Sequence, residues 1–418
     1  MSFLSGIKVS GNRKTVLSNL GYLSLLELTS HFFPLITTPY LARVLGVDGF
    51  GSLAVGTAVI AYFQTFTNYS FSYSAVRTIA RNKDNNHYVS NVVSRTLCAK
   101  MFLMLLSLFF LFIGILTIPY LKAYAVVILC TFSIIPGSIL FADWYFQAIE
   151  DMKYITIMNI AMRFVFTLLV FVFIRESGDY LLQPILMGIG YLIPAIITLF
   201  VIKKKFGVNI YIVPLREVLT DIKNGFNLFV SLFLPTIYSN LNILILGGYN
   251  GKQAVGIYGG GIKFTSIAFA IFQILSRATY PLFARNINKH NYYVLCSMTL
   301  AFAMTIFLFV FAEDIVKIFL GKEFHNTIMV LKILAFTPIA MSLMNSYGYN
   351  YLVLQNGEKL MRHVIIGVTF CAVIIGIPMA IKYSYIGVAI TDLTVQMIRA
   401  ILITCIAIKF KYKCKYEK

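Results

Sequence analysis

Long runs of apolar residues, each closed by a short polar stretch, follow one another along this chain. About twenty apolar residues in a helix cross the hydrocarbon core of a bilayer. On that measure the pattern predicts crossings at 17–43, 51–72, 94–118, 122–146, 155–174, 180–201, 226–249, 255–281, 292–312, 327–353, 363–381 and 385–408. The connections are short and leave no room for an extramembrane domain. The expected fold is an all-α integral membrane protein of about 12 transmembrane helices.

Composition agrees with the pattern. Of 418 residues, 59% are hydrophobic and 12% charged. Soluble domains carry about 25% charged residues, so lipid rather than water is the expected main solvent. The net charge of +19 would suggest nucleic acid in a soluble chain. Here the excess lies mostly in the connections, where it orients the helices and meets anionic headgroups. Even-numbered connections hold Arg77, Arg81 and Lys83, then Lys153, then Lys203, Lys204, Lys205, Arg216 and Lys223, then Arg285 and Lys289, then Lys359 and Arg362. Odd-numbered connections hold far fewer. This alternation predicts that both termini lie in the cytoplasm. Lys8, Arg13 and Lys14 precede a long apolar run with no small-residue cleavage pattern, so the first span is expected to serve as the targeting signal.

The chain also repeats itself. Phe33-Pro34-Leu35 followed by Val44-Leu45-Gly46 matches Leu234-Pro235-Thr236 followed by Ile245-Leu246-Gly247, with both partners displaced by 201 positions. Ala80-Arg81 recurs as Ala284-Arg285, and Pro136 with Gln147 as Pro338 with Gln355. An even number of helices separates the partners, so the halves share one orientation, a parallel repeat of the kind transporters use. The expected organisation is a six-helix lobe over 1–205 and a second over 206–418.

A charge in hydrocarbon costs on the order of 2.5–3.5 kcal/mol at mid-helix and normally faces protein or a watery cavity. The deepest candidates are Glu27, Asp143, Arg163, Lys263, Lys332 and Asp392. Arg43, Arg77, Arg277 and Arg399 lie nearer helix ends, where snorkelling to headgroups is the plainer reading. Basic residues outnumber acidic ones within the spans. A cationic cavity would draw an anionic substrate, and phosphate is the expected anion on a lipid carrier. Glu27, Asp143 and Asp392 could titrate against a proton or cation gradient, or form fixed ion pairs with basic neighbours. Pro34, Pro39 and Pro235 each free a backbone carbonyl and are either hinges or static kinks. Asn68, Asn240 and Asn242 could line a path, and Asp143-Trp144-Tyr145-Phe146-Gln147 could meet sugar.

Other chemistry is not expected. The six cysteines form no CxxC pair, and no HExxH is present, so no metal is expected. Gly247-Gly248-Tyr249-Asn250-Gly251-Lys252-Gln253 lacks the spacing and the Ser or Thr of a phosphate loop. No cofactor is expected beyond a coupling H+ or Na+.

Pro34-Leu35-Ile36-Thr37-Thr38-Pro39-Tyr40-Leu41-Ala42-Arg43-Val44-Leu45-Gly46-Val47-Asp48-Gly49-Phe50-Gly51, with the later Val76-Arg77-Thr78-Ile79-Ala80-Arg81, resembles the Wzx flippases of bacterial polysaccharide export. These belong to the multidrug/oligosaccharidyl-lipid/polysaccharide exporter superfamily. The resemblance implies two six-helix lobes around a central cavity, alternating access, and residence in the bacterial inner membrane. It implies an undecaprenyl-diphosphate-linked oligosaccharide, an O-antigen repeat unit of lipopolysaccharide, moved from the cytoplasmic to the periplasmic leaflet. A polysaccharide polymerase and a chain-length regulator are the implied partners, with no nucleic acid and no enzymatic activity. The family's use of cationic cavity residues is carried to Arg43, Arg77, Arg163, Lys263, Arg277 and Lys332 as charges. Of these, only Arg43 and Arg77 lie in matching motifs. The alternatives are a drug/cation antiporter of the same superfamily, against which the cationic excess counts, and a membrane polysaccharide polymerase, against which the absence of a long loop counts.

The charge alternation yields a direct test. An alkaline phosphatase fusion after Lys223 is expected to be inactive and one after Lys322 active; the reverse pattern would overturn the orientation.

Overall fold

A computed structural model gives the structure of residues 13–285, 290–353, 355 and 358–416. Those residues are almost wholly helical, with no strand among them. A bilayer core offers backbone groups no partner, so each crossing must satisfy its own peptide bonds, as helices do. Among the described residues nine helical stretches are long and apolar enough to cross a membrane. Two of these hold two crossings each. Gly46, at φ +65°, splits Gly21–Arg81, and Ser384, at φ +50°, splits Leu360–Phe410. With the 35-residue helix Leu215–Tyr249, the described residues carry twelve crossings at the places the hydropathy pattern predicts. This is an all-α, multi-pass membrane protein.

Side-chain exposure shows which faces the lipid takes. Phe109, Phe110, Phe112 and Leu116 of Asn86–Thr117 are exposed, as are Ile366, Phe370, Ile374 and Ile375 further on. Apolar faces this extensive would drive aggregation in water but match a hydrocarbon solvent. Polar side chains inside the apolar helices mostly bond back to their own helix. The Ser107 hydroxyl donates to the Leu103 carbonyl at 2.7 Å and the Thr131 hydroxyl to Val127 at 2.6 Å. Local chemistry sets the helix ends. The Asn85 side chain accepts from the Tyr88 N–H, and Gly207, left-handed at φ +67°, closes Leu182–Phe206 behind Lys203, Lys204 and Lys205. Those lysines sit where the helix dipole favours positive charge.

By internal contacts the chain forms two compact units, Met1–Thr37 with Val59–Ile237, and Thr38–Ala58 with Tyr238–Lys418. In the first, Ile79, Val93, Leu97, Trp144, Tyr145, Phe146, Ile202 and Val208 pack as one buried cluster. This cluster fixes the short helix Asp143–Ala148 against Phe71–Arg81. Phe146 stacks on Tyr154 at 4.8 Å between centroids. In the second unit, polar groups knit the interior. Ser297 and Ser342 share a hydrogen bond at 2.7 Å, the Ser276 hydroxyl donates to Asn350 at 2.9 Å, and His290 Nε2 meets the Ser346 carbonyl at 2.8 Å.

The repeat reappears as matched irregularities. The fourth crossing breaks at Phe141-Ala142, between helices Ile134–Leu140 and Asp143–Ala148. In the tenth, a wide π-helical stretch covers Met344–Leu352 after Thr337–Leu343. Asp143 and Asn345 stand 202 positions apart, the same displacement as Pro136 and Pro338. Widened turns of this kind gather at functional sites because they free carbonyls and re-aim side chains.

The prolines do not break the first helix. Pro34 and Pro39 lie in its continuous part, and Gly46 is the position at which the backbone departs from helix. Pro235 lies within Leu215–Tyr249, but its side chain falls outside the described residues.

Two glycines of the second unit mark a close helix crossing. A Cβ on Gly51 would stand 1.8 Å from the Lys252 carbonyl oxygen, and one on Gly256 would stand 2.2 Å from that of Val47. Both obstacles are backbone, which cannot step aside. Gly51→Ala or Gly256→Ala is expected to cost ~1–3 kcal/mol or more by overpacking, read as a lower apparent Tm in detergent. Gly367→Ala, where nothing lies within 4 Å, should melt like the wild type; equal melting of all variants would refute the close crossing.

Candidate functional site

Helix Arg13–Asn68 ends at Tyr69, which turns the chain at φ +51° into Phe71–Arg81. A bulky residue rarely holds that conformation, and here the surroundings hold it. The Tyr69 hydroxyl donates to the Ile222 carbonyl at 3.0 Å, and its ring stacks on Phe229 at 4.3 Å with planes 10° apart. The turn aims Arg77, one helix later, toward the broken fourth crossing.

Between them lies a cavity of about 780 Å³ within the first unit. Ligand pockets commonly run ~300–1,000 Å³. Its wall is built from Gln64, Thr65 and Asn68 at the end of the first long helix, then Tyr69, Ser72, Tyr73, Val76 and Arg77. Opposite stand Ser138, Phe141, Asp143 and Gln147 from the fourth crossing, with Asn159, Tyr191, Leu232 and Thr236 closing the rim. Asp143 and Gln147 are one turn apart and both exposed to this space. The lining is mostly amides and hydroxyls, with one guanidinium and one carboxylate. A second hollow of about 630 Å³ shares Tyr73 and Arg77 with the first. Arg95 stands in its wall, gripping Asp221 through Nε at 2.8 Å and Nη2 at 2.7 Å, with Glu217 at 3.1 Å. That fork geometry leaves Arg95 committed to carboxylates and Arg77 as the arginine common to both hollows.

The residues expected from sequence divide between the units. Arg77 and Asp143 come together in the first cavity. Arg163 lines a smaller pocket of about 140 Å³ with Pro34, Thr37 and Tyr191, and Tyr191 is shared with the large cavity. Arg163 interacts electrostatically with Tyr191 and Glu27, and Glu27 also stands 3.8 Å from His31. Arg43 is in the second unit, where its guanidinium donates to the Ile318 carbonyl. Lys332 there lies over the Phe309 ring at 5.9 Å, and Lys263 is exposed. Asp392 accepts hydrogen bonds from Gln396 and Tyr258 and interacts with Arg399. The side chain of Arg277 falls outside the described residues.

The sequence reading missed Lys100. It is buried, with 1% of its surface exposed, and its ammonium donates to Asn68 Oδ1 at 3.2 Å. The same ammonium lies 5.8 Å from the Trp144 ring centroid and interacts electrostatically with Asp143. The signal was present as a stripe. Val93, Leu97, Lys100, Leu103, Ser107 and Leu111 recur every three or four residues and are all buried, so Lys100 lies on the packed face and cannot snorkel. Among the described residues no group of three or more His, Cys, Asp or Glu could hold a metal.

Comparisons with known proteins agree with this architecture. Residues 16–287 match the family model described as "Polysaccharide biosynthesis protein". Two relatives named "Putative O-antigen transporter" align along most of the chain. The one from Escherichia coli (strain K12) is 25% identical and covers 92% of this chain and 95% of its own; the one from Shigella dysenteriae is 23% identical and covers 91% and 97%. Among solved structures, the lipid II flippase MurJ in an inward closed conformation superposes with a TM-score of 0.69 at 17% identity, covering 91% of this chain and 86% of that one. An inward-facing multidrug resistance MATE transporter of the MOP superfamily gives 0.64 at 15% identity, covering 95% and 99%. At these identities the structural likeness shows the fold alone.

Arg77 should matter most to any anionic ligand. Arg77→Ala is expected to cut function at least tenfold while the protein still inserts, with Arg77→Lys intermediate because the point charge survives without the fork. Full function in Arg77→Ala would remove it from the site.

Proposed function

The chain belongs to the polysaccharide biosynthesis protein family, and on that footing we propose that it is a flippase for an undecaprenyl-diphosphate-linked oligosaccharide. It carries an O-antigen repeat unit from the cytoplasmic to the periplasmic leaflet of the bacterial inner membrane, with both termini cytoplasmic. The relatives' names support a transporter of this class, and the fold shared with a lipid flippase supports the lipid-linked form.

The observation that carries the reading is the cavity lining. Moving a sugar across hydrocarbon strips water from its hydroxyls, at ~4–8 kcal/mol for each left without a partner. A transporter must replace those bonds. Gln64, Thr65, Asn68, Ser72, Gln147 and Asn159 offer donors and acceptors of the required kind, and Tyr73 and Tyr191 offer rings to sugar faces. Arg77 supplies a fork for the diphosphate, and the prenyl chain stays in lipid. Opening this wall to one leaflet and then the other completes the transfer.

A proton or sodium gradient drives the cycle in this reading, with Asp143, Asp392 and Glu27 as the groups that would sense it. The basic residues of the second unit, Arg43, Lys263, Arg277 and Lys332, are kept as candidate charges for the anionic carrier. A polymerase and a chain-length regulator consume the product. No step makes or breaks a covalent bond, so the protein is not an enzyme in this account.

Deletion of the gene is the test. Surface polymer is expected to vanish while the single lipid-linked unit accumulates on the cytoplasmic leaflet. A unit that reaches the periplasmic leaflet without extension would indicate a polymerase instead, and unaltered polymer would point to the drug/cation antiporter.

A further inference from the structure

The second hollow, of about 630 Å³, has no part in the proposed transfer beyond sharing Tyr73 and Arg77 with the first. Its wall comes from Phe71–Arg81 and from the starts of Asn86–Thr117 and Leu215–Tyr249. The last of these helices comes close because Gly225 lacks a side chain; a Cβ there would stand 2.2 Å from the Ser70 hydroxyl oxygen. Asp221, one turn earlier, lines the hollow. Arg95 grips it from the neighbouring helix, giving Nε to Oδ2 at 2.8 Å and Nη2 to Oδ1 at 2.7 Å. A carboxylate oxygen has two lone pairs, so this fork leaves one on each oxygen, and 30% of the Asp221 side chain is exposed. A carboxylate locked in this way is an oriented pair of acceptors, the arrangement that receives two neighbouring hydroxyls of one sugar ring. Asn224, exposed in the same wall, adds an amide that both donates and accepts. The exposed Tyr73 and Tyr88 add rings.

Charge decides which part of the cargo suits this space. Arg95 meets two carboxylates, Asp221 and Glu217, so one cation and two anions leave a net negative cluster that disfavours a diphosphate. Arg77 is the arginine that both hollows share and that no carboxylate grips in this way. We propose that the second hollow is a separate carbohydrate subsite, in which Asp221 and Asn224 take the hydroxyls of a neutral sugar of the cargo while Arg77 holds the diphosphate. The glycan then occupies either hollow without the diphosphate leaving Arg77. This inference rests on the glycolipid reading of the cargo and adds to it a second place for the sugar.

The test uses the purified full chain in detergent with photoreactive benzoylphenylalanine in place of Leu228, which lines the second hollow, or of Phe141, which lines the first. The probes are the undecaprenyl-diphosphate-linked unit extracted from cells that lack the gene and sugar-free undecaprenyl diphosphate, with adducts read by mass spectrometry. The Leu228 variant is expected to capture the linked unit through its sugar, and roughly tenfold less of the sugar-free lipid. Asp221→Asn should lower capture at Leu228 about tenfold, the worth of one hydrogen bond to a charged group, and leave capture at Phe141 unchanged. Arg77→Ala should lower both. Asn224→Ala, which leaves the Arg95 fork intact, gives the same selective loss at Leu228 if Asp221→Asn does not fold. Equal capture of both lipids at Leu228 would overturn the proposal. So would unchanged capture there in Asp221→Asn and Asn224→Ala, or equal loss at both positions, which would make those residues structural. Capture at Phe141 without capture at Leu228 sinks this inference alone; capture at neither position sinks the flippase reading with it.

Discussion

Hydrocarbon gives a peptide group nothing to bond with, and most of this structure follows from that. Helices close their own backbone bonds, so the crossings are helical and their serines and threonines turn back onto preceding carbonyls. Among the described residues, several departures from helix stand out within or between the crossings. Gly46 and Ser384 turn the chain between crossings, while Phe141-Ala142 and Met344–Leu352 interrupt the fourth and tenth crossings at positions the repeat relates. Irregular backbone at membrane depth survives where protein or a watery cavity surrounds it. In the first unit, the fourth-crossing break lies where the large cavity is found.

The same constraint governs charge. A buried ammonium loses its water and survives by gathering substitutes. Lys100 gathers the Asn68 amide at 3.2 Å and the Trp144 ring at 5.8 Å. Removing one member of such a set leaves the buried charge with fewer substitutes for its water. Arg95, held by Asp221 and Glu217, is a second settled cation in the first unit. Arg77 differs from both, facing two hollows at once, and that separates a residue available to ligand from residues engaged in the wall.

The two units solve the polar problem differently. The first puts its polar side chains around an open space, while the second turns Ser276, Ser297, Ser342 and Asn350 toward one another. A parallel repeat shares backbone design without sharing chemistry, as Asp143 and Asn345 illustrate. Function on such a frame is carried by the substitutions that break the repeat.

Hydropathy and charge spacing alone determined the helix count, the span positions and the all-α class, because lipid imposes a length and a polarity on every crossing whatever its neighbours. The internal repeat was also legible, and Arg77 and Asp143, which line one cavity, could be picked out as candidates because a charge in an apolar run is conspicuous on its own. Other assignments needed the third dimension. The donation of the Arg43 guanidinium to the Ile318 carbonyl joins residues 275 positions apart. Glu27, Arg163 and Tyr191 come together only through packing of distant spans. Lys100 lies in no motif, and its role as a packed cation shows only when Asn68 and Trp144 are set beside it. Sequence tells which residues are costly to bury; which partners repay that cost is decided by contacts between helices far apart in the chain, and only the tertiary structure holds those.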